Sequence, residues 1–385
     1  MIPGEDGPPG RVPRRAPGAE RETDVTQAAE IEATDAGRAS GASTPPAALL
    51  VGDPSPMAML GRFGPGSAQG EVSEGDAIAY ARRLTRRTGE NFSVLSRLVP
   101  EPWRDDFASV YAFCRWADDL ADESGTGDAA RQHSLDLLAW WRSGLEGCFA
   151  GEPSHPVYVA LARAVRGRRL SPGPFHALID AFEQDQRVTH YTTWDELMGY
   201  CRGSADPVGH LVLQIGGVRP PEEAPGNAEL YQMSDAICSA LQLTNHWQDV
   251  RRDLRERGRV YLPSSETGIG AEELRALLER GGDPRPDPSA RVRYIKALRP
   301  LVDRTRELFR QGEALPGLLA SGAAGEEARP LGRVVGLLAA GGRRVLERIE
   351  SGGCMTLWRR PTIGKPTKLW LVCRHTLVAP RSVSR

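Results

Sequence analysis

Two short segments of the chain each carry aspartates four residues apart inside a run of helical periodicity. The first pair is Asp118 and Asp122, and the second is Asp249 and Asp253. Carboxylates at positions i and i+4 lie one turn apart on the same helix face, where they repel each other by about 0.2–0.5 kcal/mol unless a cation lies between them. The two pairs therefore predict helices whose acidic faces meet around metal ions.

Each pair extends into a polar stripe on an otherwise apolar helix. The stripes are Tyr111, Arg115, Asp118 and Asp122 in the first segment, and Gln242, Asn245, Asp249 and Asp253 in the second. Apolar side chains occupy the remaining faces, namely Phe113, Trp116, Leu120, Leu241, Trp247, Val250 and Leu254. Polar stripes on apolar helices are typical of the lining of an internal cavity.

Carboxylate ligands without accompanying histidine or cysteine pairs favour Mg²⁺. Magnesium keeps several of its waters and is usually held by one or two carboxylates together with the phosphates of a substrate. The predicted ligand of the cavity is therefore a diphosphate. The alternative is two solvated acidic faces whose charge is balanced by arginine.

Composition divides the chain near residue 71. Residues 1–71 contain 10 of the 30 prolines and 11 of the 42 glycines, without a sustained helical or strand period. This composition predicts a disordered Pro/Gly/Ala-rich extension, which lacks the features of a secretory signal and contains an alternative start at Met57. Helical periodicity dominates from Ala77 onward, so residues 72–385 are expected to form one large all-α domain around a central cavity.

Charge and cysteine usage narrow the possible partners. The net charge is −1 and no basic cluster is interleaved with aromatic residues, so we expect no nucleic-acid partner. No run of about 18 apolar residues is present, so we expect no membrane-spanning helix. The dispersed cysteines indicate reduced thiols in a cytoplasmic protein rather than zinc ligands. They are Cys114, Cys148, Cys201, Cys238, Cys354 and Cys373.

Four motifs occur in a characteristic order at residues 90–100, 111–122, 200–209 and 245–263. Shorter ones follow at residues 304–309, at Gly341-Gly342 and at Arg360-Pro361. Over about residues 75–370, the chain resembles the squalene and phytoene synthase family, the head-to-head prenyl transferases. The resemblance implies the all-α isoprenoid-synthase fold.

Within that family, three motifs resemble the bacterial hydroxysqualene synthase branch of hopanoid biosynthesis, whose members are often labelled squalene synthases. They are Glu90-Asn91-Phe92, Trp247-Gln248-Asp249 and residues 204–209. Phytoene and squalene synthases more typically have Ser in place of Asn91 and Arg in place of Gln248. Two positions depart from the branch itself. Asp206 stands where Asn is commoner, and His210, which is either a pocket residue or a core histidine, stands where Arg is commoner.

The resemblance implies that presqualene diphosphate ionises on magnesium, rearranges and is captured by water as hydroxysqualene. It also implies which carboxylates hold the metal and neutralise charge on the departing diphosphate. They are Asp118, Asp122, Asp249 and Asp253, with Asp119 as a weaker candidate. Arg115 could contact the diphosphate through its planar guanidinium, the alternative being a structural ion pair with Asp118 or Asp119.

Aromatic residues are expected along the path of the cation, because ring faces stabilise positive charge. Tyr111, Phe92 and Tyr200 are the candidates, although Phe92 could equally serve ordinary packing. Asn91 and Gln248, together with Tyr200, are the positions expected to admit one water beside this aromatic wall.

Polar residues of the second motif are expected near the diphosphate. Asn245 and Gln248 could orient metal-bound water or the bridging oxygen, although Gln248 could equally be a satisfied core amide. Arg259 and Tyr261 are expected on a loop at the cavity mouth, where the arginine either closes over the diphosphate or stays solvated. Gly209 is expected to allow close backbone approach at a helix break that lines the cavity.

Other functions remain open on the sequence. One is condensation of two farnesyl or geranylgeranyl diphosphates to presqualene diphosphate, squalene or phytoene, and another is a complete NADPH-dependent squalene synthase. A non-catalytic scaffold for an isoprenoid complex is the alternative from a different class. For the enzyme, the resemblance implies an isoprenoid diphosphate substrate, peripheral attachment to the inner face of the membrane, and contact with neighbouring hopanoid-pathway enzymes.

Overall fold

Amphipathic helices form nearly all of the regular structure. The computed structural model describes residues 52–67, 70–88, 99–122, 125, 127–280, 287–362 and 364. Its helices are α1 (Pro56–Phe63), α2 (Glu74–Thr88), α3 (Arg104–Asp122), α4 (Asp128–Ala150), α5 (Pro156–Arg168), α6 (Gly173–Asp185), α7 (Trp194–Ser204), α8 (Asp206–Ile215), α9 (Ala228–Arg252), α10 (Ser264–Thr267), α11 (Ala271–Arg280), α12 (Pro288–Gln311), α13 (Leu315–Ser321) and α14 (Leu331–Ser351). The predicted all-α class is confirmed.

Short irregular turns connect some of these helices. Single 3₁₀ turns occur at Glu101–Trp103, Pro225–Asn227 and Glu326–Ala328, and a π-helical turn occupies Asp253–Arg257. β-type pairing in the described part of the chain is limited to one isolated bridge between His190 and Val260. This bridge ties the chain after α6 to the chain after α9.

Helix α9 is the central element and carries the second acidic motif. It packs against α7, α8, α12 and α14. Its 25 residues bury apolar side chains along the whole length, from Leu230 through Ile237 and Leu243 to Trp247 and Val250. A helix that is apolar on several faces must be surrounded by other elements. The polar stripe of α9 is therefore carried into the interior.

Packing divides into two apolar clusters that meet at α9. The first lies around α3 to α6, where the rings of Trp116 and Trp141 stack at 5.4 Å. The second lies around α9 and α12, where the indole of Trp247 donates to Thr305 Oγ1 at 2.8 Å. Leu241 contacts both clusters. The boundary between them runs along the helix that bears the second acidic motif.

The N-terminal boundary predicted at residue 71 was wrong for residues 56–63. These residues form α1, with Pro56 in its first turn, and bury Met59 and Phe63 in the first cluster. The hydroxyl of Tyr80 donates to the carbonyl of Pro54 at 3.0 Å. Because prolines and glycines flank this short helix on both sides, the sequence resembles a loop and its apolar period is too short to be recognised. Residues 1–51 lie outside the described ranges, so the expected disorder stays a prediction there.

Helices α7 and α8 meet at a break of one residue. A capping box between Thr193 and Glu196 begins α7, and Ala205 separates its end from α8. Gly209 on α8 faces α9 so closely that a Cβ atom would overlap Ser234 and Cys238. The expected close approach at Gly209 is confirmed, but it serves contact between helices and not the cavity lining.

Two further expectations concern the chain as a whole. No helix in the described ranges is long and apolar enough to cross a membrane. The described cysteines, which exclude Cys373, are free thiols. Burial raises the pKa of Cys114 and of Cys238 to about 12. These thiols are therefore unreactive packing residues.

Candidate active site

A cavity of about 290 Å³ opens along the boundary between the two clusters. Its apolar wall comes from α6 and consists of Leu178, Ala181 and Phe182. Its charged residues are Asp118, Asp185, Arg252, Asp253 and Arg257. Its remaining polar and aromatic residues are Tyr200, Ser204, Gln242, Asn245, His246 and Tyr261. This mixture of one apolar wall and several charged groups suits a ligand with a hydrocarbon part and an anionic part.

The two acidic stripes converge on this cavity. Asp118 of α3 and Asp253, directly after α9, both line it. Asn245 lines it as well, one turn before Asp249. Residues from helices far apart in sequence therefore share one cavity, although Asp122 and Asp249 are absent from its lining.

Arginines neutralise the carboxylates that the spacing predicted to repel one another. Asp122 pairs with Arg257 at 2.8 Å and with Arg259 at 3.1 Å. Both arginines follow α9, so these ion pairs tie the first acidic motif to the chain after the second. The predicted alternative of arginine balance thus describes the charges correctly, although the side chains of Asp122 and Asp249 are largely buried and not solvated.

Asp249 is neutralised from two directions. Arg252 contacts it at 3.0 Å and also contacts Asp253 at 3.1 Å. Arg360, from the C-terminal segment, donates through both Nε and Nη2 to the two oxygens of Asp249, the second at 3.1 Å. Within the described ranges, no three acidic, histidine or cysteine side chains come together as a ready-made metal site.

Arg115 takes the structural position that the sequence left open as its alternative. It pairs with the buried Asp119 and contacts Asp118 at 3.4 Å. Asp119 is only 2 % exposed and is absent from the cavity lining described above. Burial raises the pKa of Asp118, and its neighbour Asp122 adds to the rise. Of the two adjacent aspartates, Asp118 is therefore the one that faces the cavity.

A π-helical turn positions the arginines after α9. Residues Asp253–Arg257 form the turn, and Gly258 ends it in the left-handed conformation with φ of 63°. The amide of Arg259 then donates to the carbonyl of Asp253 at 3.0 Å. Such turns displace the following side chains relative to a regular helix and are frequent at functional sites. Here the turn directs Arg257 and Arg259 toward Asp122.

Arg259 lies on irregular backbone after the π-helical turn, as predicted, but it is buried and absent from the cavity lining, so it is neither solvated nor at the cavity mouth. Its guanidinium contacts Asp122 and also Asp185 of α6, the latter at 3.4 Å. Tyr200 donates its hydroxyl to the same Asp185 carboxylate at 3.1 Å. Burial raises the pKa of Asp185 to about 6, against the opposing effect of Arg259. A carboxylate that the sequence did not single out therefore anchors two of the predicted residues.

Aromatic rings form one wall of the cavity around His246. The ring of Tyr261 stacks on the imidazole at 3.6 Å with 16° between the planes, and the ring of Tyr200 lies 6.0 Å away. Tyr191 lies 5.9 Å from Tyr261. We call His246, Tyr191, Tyr200 and Tyr261 the cavity cluster. Tyr200 and Tyr261 line the cavity, and their electron-rich ring faces could stabilise a cation there.

Several predicted residues lie elsewhere or outside the described ranges. Gln248 donates its amide to the carbonyl of Pro361 at 2.6 Å, which matches the alternative of a satisfied core amide. Tyr111 belongs to α3 but is absent from the cavity lining described above. Asn91 and Phe92 lie in residues 89–98, outside the described part of the chain.

The two unusual positions in α8 contact α9. Asp206 is buried and accepts a hydrogen bond from Ser239 at 2.8 Å. Burial raises the pKa of Asp206 to about 7, and nearby Asp235 adds to the rise. His210 is half-buried and contacts Asp235 at 2.7 Å. His210 therefore takes part in a polar contact between helices, which neither expected alternative described.

Sequence reasoning did not assign Arg252, Arg257 or Arg360 as partners of the acidic motifs, and it missed His246 and Asp185. Arg252 and Arg257 flank the second motif, so their proximity to it was available as a signal. Arg360 contacts Asp249 across 111 residues, and no local pattern indicates this pairing. His246 was not recognised because it stands between Asn245, which belongs to the polar stripe, and Trp247, which belongs to the apolar face. Its position in the sequence therefore does not show which side of the helix it faces.

Comparison with known proteins decides the family. The family model described as squalene/phytoene synthase matches residues 85–367. This chain belongs to the squalene/phytoene synthase family. Its members include the enzymes of head-to-head prenyl transfer, and the chain is accordingly an isoprenoid synthase. Such enzymes act on isoprenoid diphosphates and generally depend on divalent metal ions.

Individual relatives agree with this assignment. The chain is 34 % identical over 226 residues to a hydroxysqualene synthase of Rhodopseudomonas palustris, covering 59 % of this chain and 70 % of the relative. It is 32 % identical over 204 residues to a phytoene synthase of Arthrospira platensis, covering 51 % of this chain and 64 % of the relative. The crystal structure of squalene synthase HpnC from Alicyclobacillus acidocaldarius superposes with a TM-score of 0.58 at 37 % identity, covering 74 % of this chain and 96 % of that one.

Proposed function

We propose that this enzyme converts presqualene diphosphate and water to hydroxysqualene and diphosphate. The observation that carries the proposal is the convergence of two acidic stripes on a cavity that also has an apolar wall and a cluster of aromatic rings. The similarity to a hydroxysqualene synthase supports this choice within the family. Diphosphate would lie at the charged end of the cavity and hydrocarbon along α6.

The donor set fits magnesium. Asp118 and Asp253 line the same cavity, and their ion pairs run through one oxygen each, Oδ2 and Oδ1. Carboxylate oxygens are hard ligands of the kind that Mg²⁺ prefers. We propose that these two residues hold the metal together with Asp122 and Asp249. When bound, Mg²⁺ would act as a Lewis acid that neutralises charge on the diphosphate.

Arginines would recognise the diphosphate directly. Arg252 and Arg257 line the cavity, and each is also paired with an aspartate of the motifs. A planar guanidinium can turn from a carboxylate to a phosphate oxygen without losing hydrogen-bond geometry. In this proposal the arginines hold the carboxylates in place before the substrate binds. Afterwards each arginine contacts both its carboxylate and the diphosphate.

The aromatic wall would guide the cation. Tyr200 and Tyr261 present ring faces, each worth about 0.5–2 kcal/mol to a desolvated cation. The hydrogen bond from Tyr200 to Asp185 fixes the orientation of one of these rings. Burial of this wall keeps bulk water from capturing early cations as mixed alcohols.

Incubation of the enzyme with presqualene diphosphate and Mg²⁺, without NADPH and in ¹⁸O-labelled water, tests the proposal. The expected product is a single C30 alcohol that carries ¹⁸O. Squalene formed only when NADPH is supplied would instead identify a reducing squalene synthase.

Condensation is the second candidate, and the similarity to a phytoene synthase favours it. In that case the enzyme would consume farnesyl or geranylgeranyl diphosphate and leave presqualene diphosphate unchanged. Incubation with each substrate separately distinguishes the two reactions, because condensation needs two allylic diphosphates and alcohol formation needs none.

The apolar product would have to leave the cavity for a lipid phase. This requirement supports peripheral contact of a cytoplasmic enzyme with a membrane and with neighbouring hopanoid-pathway enzymes. Sedimentation with lipid vesicles in the presence and absence of substrate would test the membrane contact.

A further inference from the structure

One buried imidazole lines the cavity and makes no hydrogen bond within the described part of the protein. His246 lies on α9, is 6 % exposed, and belongs to the cavity lining. Its Nε2 atom is buried and has no hydrogen-bond partner among the described residues. Buried polar side-chain atoms are hydrogen-bonded in the large majority of cases, so an exception indicates a missing water or ligand.

Its surroundings hold the ring in one plane. Tyr261 covers one face at 3.6 Å, nearly parallel, and Tyr200 lies on the same wall. Tyr200 is in turn fixed by its hydrogen bond to Asp185. A stacked ring cannot turn out of its plane without losing this contact. The plane of the ring therefore keeps a fixed orientation relative to the cavity.

The ring also stays uncharged. Burial lowers the pKa of His246 to about 3, and the positive charges of Arg252 and Arg259 add to the effect. A neutral imidazole has one donor and one acceptor nitrogen, whereas the charged form has only donors. With its proton on Nδ1, the ring offers Nε2 as an acceptor for an O–H group.

We propose that His246 binds the water molecule that becomes the hydroxyl group of the product. This inference rests on the proposed function, since only an alcohol-forming enzyme needs a held water. The unpaired Nε2 accepts one hydrogen bond from the water and directs an oxygen lone pair toward the cavity. Asn245, the residue before His246 in α9, lines the same cavity and can offer the water a second polar contact.

The step balances without an oxidant or a reductant. Heterolysis of the ester C–O bond leaves the bonding electrons on the diphosphate and a cation on the hydrocarbon. After rearrangement, a lone pair of the held water forms the new C–O bond. The resulting protonated alcohol is a far stronger acid than an imidazolium, so one proton passes to Nε2. The imidazolium then gives this proton to the released diphosphate, and the ring returns to its neutral form.

Product partition in two variants tests the proposal. His246→Phe keeps an aromatic ring for stacking but removes both nitrogens, and His246→Gln keeps an amide that can bind water. With presqualene diphosphate, Mg²⁺ and ¹⁸O-labelled water, we expect His246→Phe to release diphosphate within about threefold of the wild-type rate. The labelled alcohol should fall at least about tenfold as a share of product, replaced by hydrocarbons formed through proton loss. His246→Gln should keep the alcohol as its main product.

His133→Phe is the matched control, because His133 is exposed on α4, and its product should not change. A His246→Phe enzyme that still makes the labelled alcohol as its main product would overturn the inference. Loss of the alcohol in the folded His246→Gln enzyme to the same extent as in His246→Phe would also overturn it, since that pattern indicates packing. Should His246→Phe fail to fold, the product of the folded His246→Gln enzyme tests the inference, and loss of the labelled alcohol there would overturn it. A wild-type enzyme that releases no diphosphate from presqualene diphosphate would reject the proposed function instead.

Discussion

Among the described residues, two histidines are buried among aromatic rings, and they serve different ends. His155 lies before α5, with Trp116 at 4.5 Å and Trp141 at 5.0 Å in edge-to-face contact. Its Nδ1 accepts a hydrogen bond from the amide of Val157 at 3.2 Å and so caps the helix. We call His155, Phe63, Trp116, Trp140, Trp141 and Tyr158 the core cluster.

His246 in the cavity cluster is buried to a similar extent and is likewise uncharged. Burial lowers the pKa of each histidine to about 3, and each has an Nε2 atom without a partner among the described residues. The difference lies beyond the ring. His155 faces indoles and phenyl rings, whereas His246 borders a cavity lined by carboxylates and arginines. Burial and pKa alone therefore do not identify a functional histidine, and the chemistry of the adjoining space does.

The largest expected effect comes from the core cluster. Trp141→Ala removes a fully buried indole that contacts Trp116 and His155, so the free energy of unfolding should fall by about 3–5 kcal/mol. Turnover per folded molecule should change little. Urea denaturation and an assay corrected for the folded fraction measure the two quantities. Trp140→Ala, at a half-buried neighbour, should cost less. A comparable loss of turnover per folded molecule would mean that the two clusters are not separate in function.

Asp249→Asn should show the opposite pattern on the cavity side. The substitution removes the negative charge with which Asp249 would help to hold the metal. Turnover should therefore fall by about a hundredfold, which corresponds to ~2.7 kcal/mol. Stability should fall by about 1 kcal/mol, because Arg252 and Arg360 lose a charged partner. Repulsion between the motif aspartates would instead predict a gain in stability. Steady-state kinetics and thermal melting decide, with the exposed Asp128→Asn as the control.

Removal of residues 1–70 should weaken the core cluster from its edge. The deletion removes α1 and with it the buried side chains of Met59 and Phe63. The free energy of unfolding should fall by about 2 kcal/mol, because the lost burial outweighs the entropy gained by no longer ordering the segment. Turnover should persist at low temperature. Removal of residues 1–51 is the matched control and should leave the melting temperature unchanged. A drop with the shorter deletion would show that the extension also stabilises the fold.

The smallest expected effect is the pH dependence of the core histidine. The pKa of His155 is about 3 in the folded protein and 6.5 in the unfolded chain. The unfolded state therefore binds more protons between these values, and stability falls as pH drops below 6.5, by up to about 1.4 kcal/mol per unit. His155→Asn keeps an N-cap residue without this titration. Its stability should fall less between pH 7 and pH 5 than that of the wild-type protein, and parallel curves would contradict the assignment.

The sequence predicted the helices and the acidic stripes because both depend on local spacing. Asp118 and Asp253 could be placed on one cavity, since two polar stripes on apolar helices have few other arrangements. The partners of these carboxylates could not be predicted in the same way. Arg259 and Arg360 reach their aspartates through folding of distant segments, and no periodicity encodes such contacts. Solvation was expected for Arg259 as the alternative, whereas it is 7 % exposed.

The sequence also failed to predict one short helix and two single residues of the site. Helix α1 has too few turns to show a period among its flanking prolines. His246 has no neighbour in sequence that signals a cavity, because its aromatic partners come from α7 and from the chain after α9. Asp185 lies at the end of α6, where a carboxylate is ordinarily solvated. In each case the signal is a contact in space that a single sequence does not contain.

The pairing of Arg360 with Asp249 makes the order of assembly matter. A nascent chain that has completed α9 carries Asp249 and Asp253 with Arg252 as their nearby cation, and the stronger two-point partner of Asp249 is still 111 residues away. Until that partner is made, the incomplete charge balance opposes tight closure of the helices around the acidic pair. Asp249 thus acquires its full set of arginine partners only when the segment that carries Arg360 has folded against α9.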